Sequence, residues 1–495
     1  MNLIVISALL LAFIIYIAVG LILGKRTKGV ADMLPLSLSM QARVKNSTEF
    51  SASTVATTIS LATVVMAFFE ISSHFGLWLF WTVITTSMGL LVVRLFAKKI
   101  WQRMSVYDHR PTLHEFLAKE YSCEKLSYVG AICTSMGFLF AFATELIVGS
   151  MFFAGLVPAV PRWIIVILLS TVAFTYTAIG GFRAVIVTDR LQMISIWLLL
   201  LVLPLFYIVY AVNNGGISYN IDKIPAGILT LNYKEGLWAF LIGIFVINVP
   251  TYISDMSIWQ RIAGAQETKT VMGGLWKSVF SAAVTWGIIA LLACFAYMII
   301  EPQQQVNPLV ALMNAINKDG SLLAKLTLFV ATLGLYGAML STASTQLIAV
   351  SHTLYEDVFS HSRKQSLKER IASKKELAFS RIILVFSAIL STIIVQILLI
   401  NDFTIKDLVF AIFGAQLGLC PLLLAALTMK REKLKKLAGW TVWALLAGFI
   451  IGWATAIYGH IINNESMTYL PPVSSLVISS LLMFIGMLIH GREKQ

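Results

Sequence analysis

Two runs of hydroxyl side chains interrupt a sequence that is otherwise strongly apolar. The first comprises Ser51, Ser53, Thr54, Thr57, Thr58, Ser60 and Thr63; the second comprises Ser341, Thr342, Ser344 and Thr345, with Gln346 following. Positions i, i+1, i+3 and i+4 share one side of a helix, so the second run presents several oxygens to one neighbour. Neutral oxygens with at most one carboxylate suit a hard monovalent cation, whereas Zn²⁺ favours nitrogen and sulfur. No His/Cys cluster competes, and no transition metal is expected. A hydroxyl run also has a plain alternative, because Ser and Thr bond back to carbonyls of their own helix. Asp189 and Glu145 are isolated acids in apolar surroundings, and Pro250 in Asn248-Val249-Pro250 lacks a backbone donor. That proline predicts a kinked or unwound helix near Asn248, tolerable in hydrocarbon only where the freed carbonyls line a cavity or hold an ion.

The elements that carry these residues are set by composition. Of 495 residues 58% are hydrophobic and 12% charged, against roughly 45–50% and 25% in soluble domains. The chain therefore belongs in lipid. A bilayer core of about 30 Å takes about 20 apolar residues per helix, and thirteen such runs occur: 3–23, 50–72, 75–97, 128–157, 161–180, 187–212, 236–258, 272–299, 323–357, 377–400, 404–428, 438–462 and 470–490. The first is not a cleaved signal peptide, since its leading end is uncharged and Lys25, Arg26 and Lys28 follow it. Placing the N-terminus outside and alternating leaves Arg162, Lys223, Lys234, Lys318, Lys325 and Lys406 outside, six of the 37 basic residues, and 31 inside. That bias matches the positive-inside rule. The clusters Arg94 to Arg110, Arg363 to Arg381 and Lys430 to Lys436 read as orientation charge beside headgroups. The net charge of +13 therefore needs no nucleic acid.

Enzyme signatures are missing. His114-Glu115-Phe116-Leu117-Ala118 lacks the second histidine of a zinc protease, and no GxSxG, GxGxxG or Walker sequence occurs. Cys123, Cys133, Cys294 and Cys420 read as free packed thiols. Asn464-Glu465-Ser466 is an external acceptor sequon.

The stretch Tyr176 to Gln192, YTAIGGFRAVIVTDRLQ, resembles the signature of the sodium:solute symporter family, which includes sodium-coupled glucose, proline and sialic acid transporters. The similarity extends through Val55 to Ser60 (VATTIS), Trp259-Gln260-Arg261, and Ala338 to Thr345 (AMLSTAST), in order and over roughly residues 5 to 430. It implies an all-α integral membrane protein of LeuT type: residues 1–46 as an N-terminal helix and loop, 47–212 and 236–428 as two inverted five-helix repeats, and 429–495 as two C-terminal helices. Such repeats hold their site at the midplane between broken helices. The resemblance assigns a main sodium site to the carbonyls of Ala56, Ile59 and Ala338 with the hydroxyls of Ser341 and Thr342. It assigns a second to Asp189, Ser341, Ser344 and Thr345. For Asp189 the residues themselves also allow a helix cap or an ion pair with Arg190 or Arg183. Gly180 and Gly181 are expected to form the tight cytoplasmic turn.

Solute-contacting positions carried over are Thr58, Ser60, Thr63, Trp81, Thr82 and Asn248. No Arg or Lys lies within 128–157 to clamp a carboxylate. Glu145 reads either as acceptor of a cationic group or proton, or as a buried hydrogen-bonded acid. His74 and Glu70 read as an external cap or outer gate, and Gln416, between Gly414 and Gly418, as solute lining or helix packing. The expectation is a sodium-driven importer of a small organic solute, with sodium ions and lipid as its other partners, no nucleic acid and no organic cofactor, and with a monomer as one open alternative for its assembly. It lies in the plasma (inner) membrane, multi-pass, with its C-terminus cytoplasmic. The competing readings are a proton-coupled carrier and a transporter-fold sensor, for which a long cytoplasmic output domain would be expected.

Overall fold

The computed structural model describes residues 3–36, 38–301, 306–359, 373–400, 405–462 and 465–492. The described chain is helical, with one isolated bridge between Val44 and Ala265. Helix α1 is Leu3–Gly24. It is followed by α2 (Ser47–Thr58), a π-helical turn Leu61–Met66, α3 (Ala67–Phe75) and α4 (Phe80–Met104). A short helix α5 (Leu113–Tyr121) precedes α6 (Glu124–Leu156) and α7 (Arg162–Asn213). Then come α8 (Leu237–Ser254), α9 (Met256–Gly264), α10 (Thr268–Phe295), α11 (Pro308–Asp319) and α12 (Leu322–Thr353). The described chain ends with α13 (Lys374–Ile400), α14 (Ile405–Gln416), α15 (Leu419–Thr428), α16 (Ala438–Ile461) and α17 (Pro471–Arg492).

Eleven described stretches are long and apolar enough to cross a bilayer. Two of them, Leu61–Met104 and Arg162–Asn213, have 44 and 52 residues, about 66 and 78 Å at 1.5 Å per residue. Both lengths exceed twice a bilayer core of about 30 Å. Each contains a glycine in a conformation other residues avoid. Gly76 has φ +50°, and Gly181 has φ +62° with ψ −158°. A side chain at Gly181 would meet the Met33 backbone at 2.7 Å.

Helix α12 lies at the centre, against α7, α6, α1 and α2. Every residue from Gly334 to Thr353 is buried, so its polar groups face the interior of the protein. At the periphery the pattern reverses: Ile14, Ile450, Trp443 and Phe484 stand outward on α1, α16 and α17. These helices present apolar side chains to lipid and leave polar exceptions for the interior.

The breaks that form the site have local causes. Asn46 caps α2, its side chain accepting from Thr48 N at 3.1 Å and Glu49 N at 2.9 Å. The helix stops at Ile59 (φ −93°, ψ +74°), and Ser60 is extended (φ −74°, ψ +142°). The second break is five residues beyond the proline that predicted one near Asn248. Helix α8 runs through Pro250, and the turn falls at Asp255 (φ −79°, ψ +113°). A proline withholds one backbone donor, which a helix can absorb, whereas a new helix start needs a cap. Asp255 provides it, accepting from Ser257 N at 2.7 Å.

Some of the basic residues do more than orient. Arg103 and Arg431, from two of the clusters, grip Glu120 at 3.1 and 2.7 Å, and Glu120 is fully buried. This ties α5 to α4 and to the segment before α16. Most of the third cluster falls in 360–372, outside the described residues, as does Asn464 of the sequon. On α5, burial alone would raise the Glu115 carboxyl, but His109 at 2.9 Å and Lys119 at 2.6 Å hold it at about 2.

Gly181→Ala is expected to cost about 1–3 kcal/mol in backbone strain, with the clash against Met33 in addition. A lowered unfolding temperature of the detergent-solubilised protein would register this. An unchanged temperature would mean that the turn does not require glycine.

Candidate ion and solute site

The second hydroxyl run meets the end of α2. Ser341 Oγ donates to Ala56 O at 2.6 Å and lies 3.5 Å from Ala338 O. Thr342 Oγ1 lies 3.3 Å from Ala338 O and 3.4 Å from Thr57 O. Ile59, where the helix opens, leaves regular geometry beside them. The structure thus gathers Ala56, Ala338, Ser341 and Thr342 into one corner, with hydroxyl protons directed at carbonyls. Neutral oxygens from two elements converging on one point are of the kind that a hard cation could take as ligands.

The first hydroxyl run divides in two. Thr54, Thr57 and Thr58 donate to carbonyls of their own helix, at 2.8, 2.9 and 2.8 Å, which is the plain alternative realised. Ser53 and Ser60 reach across. Ser53 Oγ donates to Asp189 Oδ2, and Ser60 Oγ donates to Glu145 Oε1.

Asp189 on α7 is fully buried and pairs with Arg261 of α9, not with Arg190 or Arg183. Arg261 Nη2 donates to Asp189 Oδ2 at 3.2 Å and to Thr345 Oγ1 at 3.1 Å, Nε to Ser53 Oγ at 2.9 Å, and Nη1 to Ser257 O at 2.8 Å. Arg183 is committed elsewhere, to Glu49 at 2.7 Å. Of the positions assigned to a second sodium ion, Asp189 and Thr345 therefore meet at one guanidinium, while Ser341 and Ser344 are directed at backbone carbonyls. Arg261 is the buried partner that local reading missed. It stands in the Trp259-Gln260-Arg261 motif, but nothing in the spacing links it to Asp189, 72 residues earlier.

Glu145 of α6 sits at the unwound point of the first broken helix. Besides Ser60 it faces Ala62 N at 3.5 Å. It therefore satisfies the start of the π turn, the buried hydrogen-bonded reading of this acid.

A cavity of about 130 Å³ opens beside this corner. Thr58, Ser60, Thr63, Thr82 and Asn248 line it, and so do Thr57 and Thr342. Trp81 is not among the described lining residues; its indole N–H donates to Leu241 O at 2.8 Å. Asn248 is oriented by Thr85 Oγ1 at 3.0 Å. The sequence did not single out Phe68, Phe240, Trp286, Phe410 and Phe413 on its walls, or Asp255 and Ser257 at the start of α9. Their signal was hidden, because aromatic residues facing a cavity read like those facing lipid. No Lys or Arg is among the described lining residues. Gln416 packs where Gly137 has no side chain, and His74 Nε2 meets Glu235 O at 2.9 Å; neither is among the described lining residues. Glu70 is likewise not among the lining residues.

Comparison with known proteins places this geometry. The family model of the sodium:solute symporter family matches residues 43–435. A high-affinity proline transporter of Bacillus subtilis is 28% identical over 343 residues, covering 67% of this chain and 63% of that one. A probable urea active transporter of Schizosaccharomyces pombe is 26% identical over 282 residues, covering 51% and 41%. The matches therefore span less than two thirds of these relatives' own lengths. Among solved structures, a Na⁺-coupled sialic acid symporter in its substrate-bound outward-open state superposes with a TM-score of 0.76 at 16% identity, covering 98% of this chain and 97% of that one. A nucleobase-cation-symport-1 family transporter gives 0.56 at 11% identity, covering 92% and 95%. These likenesses establish the LeuT-type fold.

Glu145→Ala is expected to strand the Ser60 hydroxyl and the Ala62 amide, at a cost of about 1–3 kcal/mol. Glu145→Gln keeps an acceptor there and costs less. Thermal unfolding of the two variants side by side checks this, and equal stabilities would contradict it.

Proposed function

Because the chain belongs to the sodium:solute symporter family, we propose that it is a sodium-driven symporter that imports a small organic solute by alternating access. The observation that carries this reading is the contact of Ser341 with Ala56 across α12 and the broken helix, 2.6 Å long. A sodium ion there would be held by the carbonyls of Ala56, Ile59 and Ala338 and the hydroxyls of Ser341 and Thr342. Thr57 and Thr342 border both this corner and the solute cavity, so an ion arriving from outside would fix the walls against which Thr58, Ser60, Thr63 and Asn248 meet the solute.

The same reading gives thirteen crossings. The two overlong stretches are each divided at their glycine, Gly76 and Gly181, which turns the eleven apolar stretches into thirteen. Residues 47–212 and 236–428 then form two five-helix repeats of opposite direction. Their broken first helices meet at the site, as α2 with α3 and α8 with α9 do. The N-terminus lies outside and the C-terminus in the cytoplasm, following the basic residues. Each sodium ion entering down a potential of 100 mV supplies about 2.3 kcal/mol before any concentration gradient.

For the solute, the relatives suggest proline, urea and sialic acid as first trials. The cavity's lining supports a neutral or zwitterionic solute over an anion, because it offers hydroxyls, an amide and one carboxylate with no Lys or Arg among the described residues. The test is uptake by proteoliposomes across panels of amino acids, sugars, ureas and carboxylates, with sodium or choline outside. At least one solute should enter faster with sodium. Ser341→Ala should lower that rate at limiting sodium by about tenfold or more, the loss of roughly one charge-assisted oxygen contact. Uptake indifferent to sodium throughout the panels would refute the proposal.

A further inference from the structure

The cavity beside the broken helices is rich in acceptors and poor in donors. Four hydroxyls of its wall already give their protons to backbone carbonyls: Thr57 to Thr54 O at 2.9 Å, Thr58 to Val55 O at 2.8 Å, Thr82 to Leu79 O at 2.6 Å and Thr342 to Ala338 O at 3.3 Å. Each has only lone pairs left for a ligand. Ser60 donates to the Glu145 carboxylate. The Asn248 amide is committed in the same sense: its Nδ2 donates to Thr85 Oγ1 at 3.0 Å, and its Oδ1 accepts from no described residue. The hydroxyls of Thr63, Thr251, Tyr252 and Ser257 can donate or accept. The Trp286 indole N–H, which has no partner, is the one uncommitted group of the described lining that can only donate.

Asp255 is the only charged residue among the described lining residues. Its Oδ1 accepts from Ser257 N at 2.7 Å and caps α9, while its Oδ2 accepts from no described residue, and the residue is partly exposed. Arg261 lies within Coulombic reach of Asp255, but the guanidinium makes its hydrogen bonds to Asp189, Thr345, Ser53 and the Ser257 carbonyl. Two carboxylates around one guanidinium leave one negative charge over, and a buried charge calls for a partner of opposite sign. The aromatic walls suit an organic one. Phe68 and Trp286 meet edge to face at 5.6 Å, and Tyr469 braces both Phe240 and Phe410, at 6.0 and 4.9 Å. Ring faces attract an ammonium group and also pack against the hydrocarbon that carries it. A cation with N–H donors and an apolar body uses the acceptors, the charge and the rings together, whereas a bare ion would leave the rings unused.

We propose that the solute carries a protonated amine and that Asp255 Oδ2 accepts its N–H group, with Asn248 Oδ1 as a further acceptor and the aromatic walls around its apolar body. The inference rests on the symport reading above and narrows it: amino acids and other amines fit the cavity, and sugars and carboxylates without an amine do not. One carboxylate then does two things, since the oxygen that caps α9 and the oxygen that receives the solute both belong to Asp255. Solute binding is thereby tied to the break in the second repeat.

The test titrates matched probes that differ only at the nitrogen: proline against tetrahydrofuran-2-carboxylate, leucine against its 2-hydroxy acid analogue, and cyclopentylamine against cyclopentanol. Affinities are measured by calorimetry on purified protein in nanodiscs, in sodium and in potassium. At least one amine should bind in sodium, with its oxygen analogue weaker by about tenfold or more, the loss of a charge-assisted hydrogen bond. Asp255→Asn keeps an oxygen to cap Ser257 N. It should weaken that amine by about tenfold or more and leave the analogue unchanged, so that the preference disappears. Analogues that bind as well as their amines, no amine bound in any pair, or a preference that survives Asp255→Asn would overturn the inference. So would an Asp255→Asn variant that loses sodium affinity alone. If Asp255→Asn does not fold, the pairs on wild type still decide it. An amine preference that depends on Asp255 and is the same in potassium would uphold the inference and remove the symporter reading. Sodium-driven uptake confined to solutes without an amine would do the reverse.

Discussion

A break in a membrane-buried helix has to be closed by groups from elsewhere, because there is no water to satisfy the carbonyls and amides it frees. That constraint organises the whole interior of this protein. At Ile59-Ser60 the opening is closed by Glu145 from α6 and by Ser341 from α12. At Asp255 it is closed by the aspartate's own cap on Ser257. Arg261, on the short helix after that break, reaches α2, α7 and α12 at once. The groups that repair the breaks include the same groups that would offer oxygens to an ion in the proposed site.

This overlap gives a physical basis for coupling. Helix α12 contacts both the broken first helix and α7, and it is buried along its inner two thirds, so it has no freedom to serve one without the other. A cation at the Ala56–Ser341 corner would replace hydroxyl-to-carbonyl bonds with coordination and pin α2 against α12. The cavity beside it, where the solute is proposed to bind, shares Thr57 and Thr342 with that corner. An ion that favours one arrangement of these helices favours the solute site made by that arrangement, and it can do so only by as much as its own affinity differs between the two.

The helical membrane architecture was legible because span length and apolar composition are properties of contiguous residues. The buried polar face of α12 was legible for the same reason: Ser341, Thr342, Ser344 and Thr345 declare it by spacing alone. The breaks were harder. Pro250 pointed to the right helix and the wrong turn, since a missing donor marks where a helix is weak and a cap marks where the next can begin. Ile59-Ser60 carries neither glycine nor proline, and only the hydroxyl density hinted at it. What spacing could not reveal were pairings across the fold, above all Asp189 with Arg261. It also could not say which aromatic residues face a cavity and which face lipid, or that the Trp81 indole is turned to a backbone carbonyl of α8.

The central claim is that sodium and solute bind one shared structure, and its most direct measurement is thermodynamic linkage in the purified protein. With a transported solute in hand, its dissociation constant is measured by calorimetry in sodium and in choline, and that of sodium with and without the solute. The account predicts that sodium tightens solute binding and that the solute tightens sodium by the same factor, as linkage requires. Solute affinity that ignores sodium and instead follows proton concentration would contradict it.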